Sequence, residues 1–244
     1  MYYKNKFLET FKKLCETRAS WQVWADFVTA TACALANTVD KGEHYKEREK
    51  EYIECAKRIG DVEKMAELFS YVVSALEENP NRDFLGSLYM ELNLGNHWKG
   101  QFFTPLSICE MMAKITLSDK IEEINSNGWT TVNDPACGAG ATLIATANAM
   151  EEKKINYQNK ALFVGQDIDR ITGLMSYIQL ALIGCAGYIV IADTLCNPIV
   201  GKGALFPSKQ EGQEIWYLPM LYNDVWSGRR KWNYLDLVLQ SMFD

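Results

Sequence analysis

The chain has 244 residues, 48% of them apolar, with 25 basic against 31 acidic side chains and a net charge of −6. That length suits one large domain or two small ones around a sizeable core. No stretch approaches the roughly 20 unbroken apolar residues of a membrane helix, and the N-terminus lacks the apolar centre of a signal peptide, so a cytoplasmic protein without membrane contact is expected.

Seven scattered cysteines without a CxxC pair, and two histidines, exclude a disulfide framework and a structural zinc site, so no metal is expected. The acidic balance excludes a protein that grips nucleic acid by bulk charge, because phosphate neutralisation by Lys and Arg supplies most non-specific affinity.

Up to about Leu94 apolar residues recur at helical spacing: Phe7, Phe11 and Leu14, then Trp21, Trp24 and Val28, then Met65, Leu68, Val72 and Leu76. Four or five helices are expected before Gly95. Ser20 is placed as an N-cap, Asp61 can cap a helix with Glu63 in its first turn, and Asn81 can start the helix carrying Phe84, Leu85, Leu88 and Leu92. The charged run 41–51 reads as a solvated helix face.

From Gly128 the pattern changes to short β-rich runs at 129–133, 162–165, 188–192 and 235–239. Amphipathic stretches of crossover-helix length, 141–154 and 170–183, separate the first three, so an α/β fold with a parallel sheet is expected. No internal repeat interrupts this pattern.

The first of these runs leads through Asp134-Pro135-Ala136-Cys137-Gly138-Ala139-Gly140 into an apolar helix. Glycines permit positive φ and close approach of the backbone to a ligand, while the helix start offers unpaired N–H groups and a partial positive charge. The second run ends in Gln166-Asp167-Ile168-Asp169, where a carboxylate can accept ribose hydroxyls, and the third ends in Asp193-Thr194. Singly, each has a plain structural reading: a tight connection, a helix cap, a turn cap. Together, in order and each at a strand end, they point to a ligand containing a nucleoside.

Gly100-Gln101-Phe102-Phe103-Thr104-Pro105 followed by Asp134-Pro135-Ala136-Cys137-Gly138-Ala139-Gly140 resembles the paired signature of N6-adenine DNA methyltransferases, especially modification subunits of type I restriction systems. The likeness runs from about Asp83, where Asp83-Phe84-Leu85-Gly86-Ser87-Leu88-Tyr89 is similar to the family's preceding helix, to Leu239. It implies a Rossmann-like S-adenosylmethionine-binding sheet over residues 98–244 behind an N-terminal helical domain at 1–97. Later strands would follow Asp244, so that domain is expected to be cut short.

By this resemblance Gln101, Phe102, Phe103 and Thr104 close over the methionine end of the cofactor, and Asp134, Pro135, Ala136, Gly138 and Gly140 hold it from below. Asp167 binds the ribose, Asp193 lies beside the adenine and its N6 amino group, and Ile168 and Thr194 join the binding set. The implied activity is adenine-N6 methylation of DNA, of restriction-modification or mobile-element type, with a separate specificity subunit; oligomerisation stays open. The alternative is an accessory protein that binds the cofactor, or DNA, without catalysing transfer.

One departure decides between them. The family carries an Asn-Pro-Pro-aromatic turn after its fourth strand, which accepts the amine hydrogens and stacks on a flipped-out base. Here the run 235–239 is expected to be that strand, and Gln240-Ser241-Met242-Phe243-Asp244 follows. Ser241 can accept a hydrogen bond and Phe243 can stack, which makes them catalytic candidates. Asn197 and Pro198 are a second pair, placed early and lacking an aromatic. Residues 201–232 interleave Lys202, Lys209, Arg229, Arg230 and Lys231 with Trp216, Tyr217, Trp226 and Trp232, which reads either as a nucleic-acid surface or as a loop with buried anchors.

Overall fold

The computed structural model describes residues 1–94 and 103–243, with side chains through Leu239. Five helices precede Gly95: α1 (Tyr2–Leu14), α2 (Ser20–Val39), α3 (Tyr45–Ile59), α4 (Val62–Glu78) and α5 (Phe84–Glu91). Their periodicity is used as expected. Phe7, Phe11 and Leu14 are buried on α1, and Phe7 meets Trp24, Phe27 and Phe84 edge-on at 6.0, 5.6 and 6.2 Å. Trp21 is the exception, 42% exposed on the flank of α2.

Of the three expected caps one stands. Asp61 accepts from the Lys64 amide at 2.9 Å. Ser20 is the first residue of α2, behind Ala19, and makes no cap bond. Asp83, not Asn81, caps α5: the helix begins at Phe84, and the Asp83 side chain accepts from the Gly86 amide, while the Asn81 backbone N–H donates to Asn79 Oδ1 in the preceding turn. The run 41–51 is also less solvated than expected. Arg48 is buried, and it is paired: it donates to Asn37 Oδ1 and Asp40 Oδ2, both at 2.8 Å.

The rest of the chain runs α6 (Leu106–Ser118), α7 (Ile121–Asn127), β1 (Thr130–Asp134), α8 (Ala141–Glu152), α9 (Tyr157–Lys160), β2 (Ala161–Asp167), α10 (Arg170–Leu182) and β3 (Ala186–Ile191). After these come β4 (Val200–Gly201), β5 (Pro207–Ser208), β6 (Glu214–Tyr217) and α11 (Asp224–Phe243). Four strands form one sheet in the order β1-β2-β3-β6. β1, β2 and β3 are parallel, with Val132 opposite Phe163 and Gln166 opposite Val190, while β6 adds antiparallel to β3. The architecture is mixed α/β.

β2 and β3 are buried on both faces, as continuous apolar strands of a covered sheet should be. Phe163 and Ile189 point into a core shared with the N-terminal helices, and Leu162, Val164, Tyr188 and Val190 into a second cluster with Trp226. The first ninety residues and one face of the sheet therefore share their apolar packing. Arg170 adds a polar tie, donating to Glu51 of α3 at 3.0 Å and to Glu214 of β6 at 2.9 Å.

The expectation of a strand at 235–239 is overturned: that run lies inside α11. Short apolar runs do not distinguish helix from strand by themselves, and no turn signal separates it from the helical residues before it. Trp226 anchors the helix, fully buried and donating its indole N–H to the Gln158 carbonyl at 2.7 Å, while Leu235 and Leu239 are 50% and 52% exposed. A central strand would bury them.

Candidate functional site

The turn after β1 is built by its glycines. Gly138 and Gly140 take φ of +52° and +93°, left-handed values that cost other residues strain. A Cβ at Gly140 would lie 2.6 Å from Ser176 Oγ on α10, so the turn also packs too closely for a side chain there. Asp134 Oδ1 accepts from the Ala136 amide at 3.0 Å, the Cys137 amide donates to the Gln166 carbonyl at 3.0 Å, and the Gly138 amide donates to Asp167 Oδ2 at 2.8 Å. α8 then starts at Ala141, and its first-turn amides have no carbonyl partner within the helix.

Asp167 ends β2 and is mostly committed to the fold. Its Oδ1 accepts from the Asp169 amide (2.8 Å) and the Thr172 hydroxyl (3.1 Å), and its Oδ2 from Gly138. A carboxylate offers about four acceptor positions, so one remains. Burial pushes its pKa above the usual aspartate value, against the pull of those hydrogen bonds. The helix cap that sequence reasoning allowed for Asp167 belongs to Asp169, which accepts from the amides of Ile171 and Thr172. Between them Ile168 stands 70% exposed.

Asp193, just beyond β3, accepts through Oδ1 from the amides of Leu195 (2.8 Å) and Cys196 (3.2 Å), which hold its pKa below the usual value. Leu195 is 93% exposed beside it. The Thr194 hydroxyl donates to the Pro135 carbonyl, tying this loop to the turn after β1. Gln166, buried at the end of β2, donates to the carbonyls of Ala192 (3.3 Å) and Asn197 (2.9 Å) and accepts from the Ile199 amide (3.1 Å). Asn197 itself is engaged: Nδ2 donates to the Glu211 carbonyl at 2.9 Å and Oδ1 accepts from Gln213 at 3.1 Å. The Pro198 carbonyl accepts from Gln213 as well, at 3.2 Å.

The first signature element is seen in part, since Gln101 and Phe102 lie outside the described residues. Phe103 lies over Gly138, 3.2 Å from where a Cβ would be, and its ring centroid is 5.4 Å from that of Tyr89. Thr104 lines a groove of about 410 Å³ with Thr131, Asn133, Asp134, Pro135 and Ala136. That groove follows β1, which pairs on one side only among the described residues. A larger cavity, about 640 Å³ between α3 and β6, lies away from the glycine turn and is lined by Arg170, Glu51 and Glu214, which already bond one another.

Ser241 and Phe243 fall in the last turns of α11, not in a turn after a strand, and their side chains lie outside the described residues. Of the aromatic and basic residues at 201–232, Trp216 and Trp226 are buried anchors, Arg229 stacks over Trp226 at 4.5 Å, and Trp232 is 72% exposed. The residues that sequence reasoning missed are the buried carboxamides Gln166 and Gln179. Glutamine has no sequence signature for this role; its meaning comes only from which carbonyls it reaches.

A family model described as N-6 DNA Methylase matches residues 81–215, more than half of the chain. The Type I restriction enzyme MpnII methylase subunit of Mycoplasma pneumoniae (strain ATCC 29342 / M129 / Subtype 1) is 29% identical over 154 residues, covering 62% of this chain and 26% of that protein. The match thus spans about a quarter of the relative's length. No solved structure matches the chain. The matched span begins just before α5 and runs through the glycine turn and all three parallel strands into β6, and on this match the chain belongs to the N-6 DNA methylase family.

Proposed function

We propose that the chain binds S-adenosylmethionine at the C-terminal ends of β1, β2 and β3 and serves adenine-N6 methylation of DNA. One observation carries this: Asp134 and Asp167 end two adjacent parallel strands, and Asp193 lies just beyond the third, around a glycine turn that opens a helix. In this reading residues 98–244 form a Rossmann-like methyltransferase domain behind the helices of 1–97.

The residues present fit the cofactor. Ile168 and Leu195 offer exposed apolar surface beside Asp167 and Asp193, as the faces of a purine need. The open acceptor position on Asp167 takes one ribose hydroxyl; a second would displace the Gly138 amide or the Thr172 hydroxyl. Asp193 Oδ1 accepts from the Leu195 and Cys196 amides, and in this reading Oδ2 accepts from an exocyclic amine. The first-turn amides of α8 suit the carboxylate of the methionine end, with Thr104 and the groove along β1 beside it. When bound, the cofactor supplies an activated methyl group on a sulfonium, so the protein's task is orientation rather than acid–base chemistry. DNA recognition is assigned to a separate specificity subunit, in keeping with the net charge of −6.

A second reading, an accessory protein that binds the cofactor without transferring its methyl group, is favoured by one finding: the segment expected to bear the amine-binding turn is helical. Calorimetric titration with S-adenosylmethionine, followed by transfer of labelled methyl groups to duplex DNA, separates the two. Binding with transfer supports the enzyme, binding without transfer supports the accessory protein, and absence of binding removes both.

A further inference from the structure

A fully buried polar group also bonds the glycine turn. Gln179, on α10, is fully buried. Its Nε2 donates to the Ala139 carbonyl in the middle of the turn at 2.9 Å and to Asp83 Oδ1 at 2.8 Å, while its Oε1 accepts from the Leu85 amide at 2.9 Å. Both amide hydrogens and the carbonyl oxygen are thus used. Asp83 is the N-cap of α5 and also accepts from the Gly86 amide at 2.8 Å. Its carboxylate fills the space beside Gly86 so closely that a Cβ there would come within 2.0 Å of Oδ2.

The same helix reaches the turn a second way. Tyr89, five residues after the start of α5, lies against Phe103, and Phe103 covers Gly138. α5 therefore reaches Ala139 through Gln179 and Gly138 through Phe103.

We infer that Asp83 and Gln179 form a latch by which α5 sets the shape of the cofactor turn, making both of them positioning residues for cofactor binding. This rests on the reading of the site given above. Because Gln179 has no exposed surface, it cannot touch a ligand in the site, and any effect it has on affinity passes through Ala139. An unsatisfied carbonyl in the turn would draw it out of shape, since a buried polar group without a partner is costly.

The test compares calorimetric affinities for S-adenosylmethionine. Gln179→Met keeps the volume but removes all three hydrogen bonds, and Asp83→Ala removes the anchor on α5. Asp83→Asn keeps an acceptor for Gln179 and Gly86. Val72→Ala, a buried cavity in α4 away from the turn, serves as a stability control. Gln179→Met and Asp83→Ala are each expected to weaken binding by about tenfold, roughly 1.4 kcal/mol. The double variant should be no weaker than the worse single, and Asp83→Asn should restore most of the affinity.

Wild-type affinity in Gln179→Met, or an equal loss in Val72→Ala at matched thermal stability, would overturn the latch while leaving the cofactor site in place. If Gln179→Met does not fold, Asp83→Ala against Asp83→Asn decides alone: equal affinities refute the latch. No binding by the wild-type chain would remove the site itself, and the latch with it.

Discussion

Residues 130–199 and residues 200–243 come from one chain but are built differently. In the first, the loops at the three strand ends are fixed by side chains: buried Gln166 holds the loop after β3, buried Gln179 the turn after β1, and half-buried Asp167 both that turn and the start of α10. In the second, two-residue strands, a short antiparallel strand and a helix with exposed Leu235, Leu239 and Trp232 follow one another. A preorganised site needs side chains locked by their neighbours. The cofactor end has them, while Trp232, Leu235 and Leu239 in the C-terminal helix are exposed.

The largest consequence is for transfer itself. Positioning both reactants can be worth about 7–11 kcal/mol of barrier, so the chain alone should bind cofactor yet put little or no labelled methyl onto adenine. Fast transfer by the isolated chain would mean that it holds the amine as well as the cofactor, and Asn197 with Pro198 would be the first residues to change.

The next effect is on affinity. Asp167→Ala should weaken S-adenosylmethionine binding by about 1–3 kcal/mol, through a lost charged acceptor and a freed Gly138 amide. Asp193→Ala should cost less, because that carboxylate is more exposed. An unchanged affinity for Asp167→Ala in the same calorimetric series would exclude that residue.

Acidity sharpens the same point. Burial raises the pKa of Asp167 above the unfolded value of about 3.9. In the folded chain the group therefore takes up its proton at higher pH than when unfolded, and this protonation favours the fold as pH drops through that window. Cofactor binding uses the charged form, so affinity should fall over the same window, beginning above the ordinary aspartate range. Titrations repeated at decreasing pH should show this, and Asp167→Asn should abolish it.

The smallest effect tests the C-terminal region. Leu235→Ser and Leu239→Ser should change unfolding free energy by no more than about 0.5 kcal/mol, as surface positions do. Losses of several kcal/mol in urea unfolding would mean that these residues are buried, as a central strand requires.

Sequence carried the three parallel strands and the glycine turn because each rests on local chemistry: β-rich runs of fixed length, and glycines where φ is positive. The ends of α8 and α10 fell within two residues of expectation. Asp83 was named only as part of the family likeness, and its bond to Gln179 spans 96 residues, beyond any local pattern. The error at 235–239 has the opposite origin. Leu-Asp-Leu-Val-Leu alternates well enough for a strand, and the anchoring of α11 by Trp226 and Arg229 on distant carbonyls decides for helix. Arg48 was misjudged likewise, because Asn37 and Asp40 come from another helix and its end.

Photocrosslinking labelled S-adenosylmethionine to the wild-type chain and mapping the labelled peptides tests whether the cofactor lies across the ends of β1, β2 and β3. Label is expected in peptides spanning 134–140, 166–172 and 193–196, competed by the demethylated product and reduced in Asp167→Ala. Specific, competable label confined to the cavity between α3 and β6, or to α11, would contradict it.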